Sequence, residues 1–208
     1  MAGPDGVGRR LALLCLQADG RLTDSRWADR AVRAGLLADL ALAGRLTDAD
    51  DHVAVDATPT GDPLTDRVAA ELVLPGRTLD EVVADGGPDL AEIARTLVAE
   101  GLWEPVPHRW WRRGARYRPA DPEMSRTAVS VTLEGTGLES PPPLVAAAAI
   151  AEVAGLLGGR FGPVRDELVT AAGDAGWVVG TVVTGLESAR RWYGAVTRMT
   201  IGDLHTPG

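Results

Sequence analysis

Apolar residues recur at three- and four-residue spacing along much of this chain, and in two short stretches they alternate with polar ones. The clearest helical period is Leu90, Ile93, Ala94, Leu97 and Val98, which predicts an amphipathic helix over 88–100 stopped by Gly101. Residues 144–157 are apolar nearly all round and predict the central buried helix. Another helix is predicted over 26–43, capped by Asp24 or Ser25 and ended by Gly44. Its Arg26, Arg30 and Arg33 fall at i, i+4 and i+7, on one stripe that Leu37 and Leu40 continue, so its first half is expected to project toward the surface. Asp62-Pro63 opens a helix over 63–72. Thr78 and Glu81 have the spacing of a capping box for a short helix reaching about Ala84.

Residues 45–58 alternate around an acidic tip and predict a hairpin with strands 45–47 and 52–56. A second hairpin is predicted over 102–119. Helices over 163–172 and 187–199 complete the pattern, with glycine-rich joints between, while the short apolar element 10–17 is open between helix and strand. The fold class is mostly α: one helical domain over 1–208 around a central hydrophobic helix, with one or two small β-hairpins.

Composition narrows the setting. The chain has 208 residues, a length that suits one domain, and its 45% hydrophobic content is ordinary for a globular core. All 21 basic residues are arginine, which with the abundant Ala and Gly reads as GC-rich coding, as in a high-GC bacterium. The only cysteine, Cys15, lies in the apolar run LALLCL, where a buried inert thiol is expected and no internal disulfide can form. The polar start and the short run 11–16 do not have the form of a signal peptide. The apolar run 144–157 carries Glu152 and is shorter than the ~20 residues a bilayer span requires. A cytoplasmic location is expected, with any membrane contact peripheral and on the inner face.

The usual catalytic patterns do not occur. Asp48, Asp50, Asp51 and His52 lack the spacing and glycine of a calcium loop and read as a solvated turn. His52, His108 and His205 are scattered. GDAGWVVGTVVTG lacks both G-x-G-x-x-G and a phosphate-loop lysine, and no G-x-S-x-G turn occurs. In DATPTGDP, Asp56 and Asp62 read as turn and cap acceptors. No catalytic residue, metal or cofactor is expected, and the reading is non-enzymatic.

Charge patterning supplies the candidate site. Formal net charge is -8 and aromatic content only 4%, yet residues 108–118 read HRWWRRGARYR. Such a segment on an acidic body has three readings. Trp110 and Trp111 can alternate faces, one packing on the body under stacked arginines. Arg109, Arg112 and Arg113 can meet anionic headgroups with the tryptophans at the interface. The segment can also be the wing of a winged helix, but the reading helix would then offer Arg95 alone against Asp89, Glu92 and Glu100, so nucleic acid ranks third.

The order of blocks carries a resemblance. A turn with GRL, a helix ending LADLALAGRL, a strand entering DATPTGDPLTD, a helix ending LVAEGLW, the hairpin and an apolar helix AAAAIAEVAGLLGGRFGP follow one another. From about Leu11 to beyond Phe161 this resembles the Golgi phosphoprotein 3 family, with a weakly matched part at 175–208. The resemblance implies a mainly helical domain, a projecting hairpin used in self-association, and adaptor members that bind phosphatidylinositol 4-phosphate and glycosyltransferase tails. The family's pocket arginine on the helix leading to LALAGRL falls on Arg33. Its tryptophan position falls on Asp24, with Trp27 nearly a turn away, and its other two arginine positions hold Gly87 and Leu90.

The resulting expectation is a peripheral protein binding anionic phospholipid, with a phosphoinositide-like headgroup implied by the resemblance. Arg26, Trp27, Arg30 and Arg33 would form one contact region, and Arg109, Trp110, Trp111, Arg112 and Arg113 an interfacial hairpin. The alternative is a protein–protein adaptor or homo-oligomer that buries the same hairpin.

Overall fold

The computed structural model describes residues 6–23, 25–49, 52–107, 114–123, 136–158 and 165–202. In chain order the elements are α1 (Val7–Leu14), α2 (Arg26–Leu42), β1 (Leu46–Ala49), β2 (His52–Val55), α3 (Pro63–Leu72), α4 (Leu79–Asp85), α5 (Leu90–Ala99), β3 (Trp103–Pro105), β4 (Tyr117–Pro119), α6 (Pro142–Val153), α7 (Arg165–Ala171) and α8 (Gly176–Gly202). The protein is mostly α, and the described residues form two antiparallel two-stranded ribbons, β1–β2 and β3–β4.

Local chemistry sets the helix ends where the sequence predicts. Ser25 accepts from the Trp27 N–H and caps α2. Asp62 accepts from the Leu64 N–H and caps α3 beside Pro63. Thr78 and Glu81 form the capping box of α4. Gly44 and Gly101, at φ 67° and 74°, take the left-handed conformation just past α2 and α5. The open element near the N-terminus is helical.

Two helices lie inside. In α6 every residue from Val145 to Val153 is buried. In α2, 11 of 17 residues are buried, so it is a second central helix and its first half does not stand clear of the body as expected. Helices α1, α3, α4, α5, α6 and α8 all pack against it. The α1–α2 crossing rests on two glycines. A Cβ placed on Gly35 would fall 2.7 Å from Gly8 Cα, so the backbones touch there. The Asp39 carboxylate reaches from α2 to the free N–H groups of Val7 and Gly8, at 2.7 and 3.0 Å, and fastens the start of α1.

The glycine-rich joint expected before residue 187 is instead the first half of α8, one helix of 27 residues. Val178, Val179, Val182, Val183 and Leu186 repeat at helical spacing and are all buried. Burying five such side chains, at about 1.5–3 kcal/mol each, outweighs the ~1 kcal/mol cost of each interior glycine. The glycines sit where neighbours come close: Gly180 against Val169 on α7, and Gly185 against Asp80 on α4.

Candidate functional site

Arg26, Arg30 and Arg33 leave α2 at three successive levels and do two different things. Arg33 is 8% exposed and turns inward to the end of α4. Its Nη1 donates to the Val83 and Ala84 carbonyls, both at 3.1 Å, and its Nε donates to the Pro88 carbonyl at 3.2 Å. These include carbonyls left over at a helix C-terminus, where a cation is favoured. Burial lowers the Arg33 pKa from its ordinary value, against the opposing charges of Asp29, Asp89, Glu71 and Asp85.

Arg26 and Arg30 stay near the surface and stack on aromatic rings. The Arg26 guanidinium lies 4.3 Å from the Tyr193 centroid, and that of Arg30 lies 5.2 Å from the Trp27 centroid. Arg190 from α8 covers the same Trp27 ring at 5.7 Å. Trp27 and Tyr193 meet edge to face at 6.0 Å, and Tyr193 meets Trp192 in the same way at 5.0 Å. Trp192 is 61% exposed. Among the described residues, Arg26, Arg30, Arg190 and Arg191 have no carboxylate partner. The start of α2 and the later part of α8 thus form a cationic, aromatic junction on a protein whose other described arginines are largely paired.

Beside the junction, α4 and α8 leave a groove of about 640 Å³. Arg30 lines it from α2, Asp80 from α4, and Gly180, Thr184, Gly185 and Ser188 from α8. Arg30 Nε is buried and, among the described residues, has no hydrogen-bond partner.

The expected hairpin is present at its base. Trp103 pairs with Pro119 and Pro105 with Tyr117, and the Trp103 and Tyr117 rings lie 5.9 Å apart. Arg118 pairs with Glu104 at 2.7 Å and Arg116 with Asp19 at 3.5 Å. Arg109, Trp110, Trp111, Arg112 and Arg113 lie outside the described residues, as does Asp24. At the other two pocket positions, the Gly87 N–H donates to Glu71 at 2.8 Å and the Leu90 N–H to Asp29 at 2.9 Å.

The family model for Golgi phosphoprotein 3 (GPP34) matches residues 7–182. The chain belongs to the Golgi phosphoprotein 3 family. A search of curated proteins gave no match.

The matched stretch of this Golgi phosphoprotein 3 family member includes α2 and the groove's α4 wall, but it ends before Arg190, Trp192 and Tyr193. These residues were missed in the sequence reading, which took 187–199 only as a further helix. The signal was available: ARRWY at 189–193 repeats the arginine–aromatic mixture of 108–118. What the sequence cannot show is that it folds against Trp27.

Buried charge elsewhere in this family member is structural. Arg9, 5% exposed, reaches Asp62 at 3.3 Å and Glu100 through both terminal nitrogens, tying α1 to the start of α3 and the end of α5. Burial opposes its charge, but the Glu100 and Asp62 contacts win and raise its pKa. Thr65 donates to Asp62 at 2.7 Å, so the GDP turn serves as both cap and ion-pair anchor. Burial, with Asp29 nearby, pushes the Cys15 thiol up to about 12, which disfavours the thiolate. No group of three or more metal-ligating side chains occurs among the described residues. Among them, too, no single helix is long and apolar enough to cross a membrane.

Proposed function

We propose that this protein is a non-enzymatic peripheral membrane protein that engages anionic phospholipid through the α2–α8 junction. The observation that carries the reading is the stacking of Arg26 on Tyr193 and of Arg30 and Arg190 on Trp27, beside the exposed Trp192. Stacking holds the arginines in place without neutralising them, so their charge is available to an anion. An exposed indole beside them has the amphipathic character that favours a headgroup layer. Each basic residue near an anionic surface contributes roughly 1 kcal/mol, so four would give binding that weakens steeply with salt.

Family membership supports the same direction, because the resemblance implies phosphoinositide-binding members. The carbonyl bonds of Arg33, together with Gly87 and Leu90 in place of arginines, favour recognition by charge over recognition of one phosphomonoester. The test is sedimentation with anionic and neutral vesicles across a salt series. Binding to anionic vesicles alone, lost at high salt, supports the reading; binding that ignores lipid charge, or no binding, overturns it.

A further inference from the structure

The groove between α4 and α8 is not explained by contact with a flat charged surface. One of its walls carries an arginine and another a carboxylate. Among the described residues, neither Arg30 nor Asp80 has a salt-bridge partner, although both line the same 640 Å³ space. Arg30 is held over the Trp27 ring at 5.2 Å with a buried, unpartnered Nε, so its guanidinium is positioned yet short of acceptors. Asp80 receives no hydrogen bond from the described residues; its carboxyl lies over Gly185, and partial burial there raises its pKa. Opposite charges that face one space without joining suit a ligand that carries both signs.

The α8 wall keeps the space open. Gly180, Thr184, Gly185 and Ser188 are all small, and a Cβ on Gly185 would collide with Asp80 Oδ1. The Thr184 hydroxyl donates to the Gly180 carbonyl at 2.9 Å, and its oxygen can still accept. The Ser188 hydroxyl is exposed on the same wall.

We propose that this groove binds an amino-alcohol phosphate, with the phosphate on Arg30 and the ammonium on Asp80. Arginine provides forked donors that match phosphate oxygens. A primary ammonium provides N–H donors for a carboxylate, which a bare phosphate cannot. Asp80 would repel a simple anion, so it acts as the selector and Arg30 as the anchor. The same chemistry occurs in phosphatidylethanolamine headgroups and in free phosphoethanolamine. Only the lipid source rests on the membrane reading above.

The test is calorimetric titration of the full chain with O-phosphoethanolamine, inorganic phosphate and glycine. O-phosphoethanolamine is expected to bind at least about tenfold more tightly than either of the others, the factor set by losing one charge-assisted contact. Asp80→Asn is expected to remove that preference by weakening phosphoethanolamine while leaving phosphate binding unchanged or tighter. Arg30→Gln is expected to weaken both phosphate compounds about tenfold or more. Asp80 is exposed at the first turn of α4, so the Asn variant keeps the proposal testable if Arg30→Gln fails to fold. Equal binding of the three compounds, no binding, or binding indifferent to both substitutions overturns it. A vesicle arm separates the sources: phosphatidylethanolamine in a phosphatidylcholine background, whose quaternary nitrogen has no N–H, with free phosphoethanolamine as competitor. Retention on these vesicles that Asp80→Asn abolishes assigns the lipid headgroup; titration without retention assigns the free compound. Phosphoethanolamine binding that persists when anionic vesicles fail to sediment the protein leaves this site standing and removes only the charge-based membrane reading.

Discussion

The guanidinium of Arg26 lies 4.3 Å from the ring centroid of Tyr193, joining the first turn of α2 to the far part of α8. That contact gathers into one junction residues from both ends of the chain, and it leaves the arginine charge unneutralised by any described carboxylate.

Vesicle binding is expected to follow this charge. Replacing Arg26 or Arg190 by Gln should each weaken binding to anionic vesicles about fivefold, from roughly 1 kcal/mol per basic residue, and should flatten the salt dependence. Trp192→Ala should also weaken binding but leave the salt slope in place, because it removes an apolar contact and no charge. Sedimentation across a salt series reads both effects.

Arg33→Met is expected to destabilise the fold by about 3 kcal/mol, because the Val83, Ala84 and Pro88 carbonyls lose their donor in a buried setting. Urea unfolding followed by circular dichroism measures this. An unchanged midpoint would mean that the guanidinium is not needed to hold the end of α4.

Gly35→Ala is expected to cost about 1–3 kcal/mol, since the new Cβ meets the Gly8 backbone at 2.7 Å and a backbone cannot step aside as a side chain end can. Gly137→Ala is the control. Its Cβ would meet nothing within 4 Å, and a change within about 0.5 kcal/mol is expected. Parallel urea titrations compare the two.

Asp39 introduces a pH dependence of definite sign. Burial raises its pKa from 3.8 to about 6, despite the N–H groups of Gly8 and Val7. The folded state therefore holds this proton more tightly than the unfolded chain. The linked stability is fully present below about pH 4 and is lost as pH rises through about 6, a difference on the order of 3 kcal/mol. Asp39→Asn removes the titration. The difference in unfolding free energy between wild type and variant should change between pH 4 and 6.5 in that direction, and a constant difference would contradict the assignment.

Much of the fold was legible in the sequence. The Thr78–Glu81 capping box, the Asp62-Pro63 start of α3, the Ser25 cap and the Gly44 and Gly101 stops depend on neighbours a few positions away. So do the β1–β2 pairing and the buried run of α6, which their residue patterns announce. The start of α8 was not legible, because glycine's local cost argues against helix while the burial of Val178, Val182 and Leu186 depends on partners that only the folded chain supplies.

The candidate site divides in the same way. By itself, the sequence determined that Arg26, Arg30 and Arg33 share one helix, that the chain is acidic, and that its arginine and tryptophan are locally concentrated. Tertiary structure alone decided that Arg33 turns inward to carbonyls, that Arg26 and Arg30 stack on rings, and that Arg190, Trp192 and Tyr193 join them. Helical spacing fixes which side of α2 a residue occupies, but whether that side meets solvent, a ring or a helix end depends on what packs against it. For α2, those neighbours come from α4 and α8, which lie far along the chain and arrive only with the completed core.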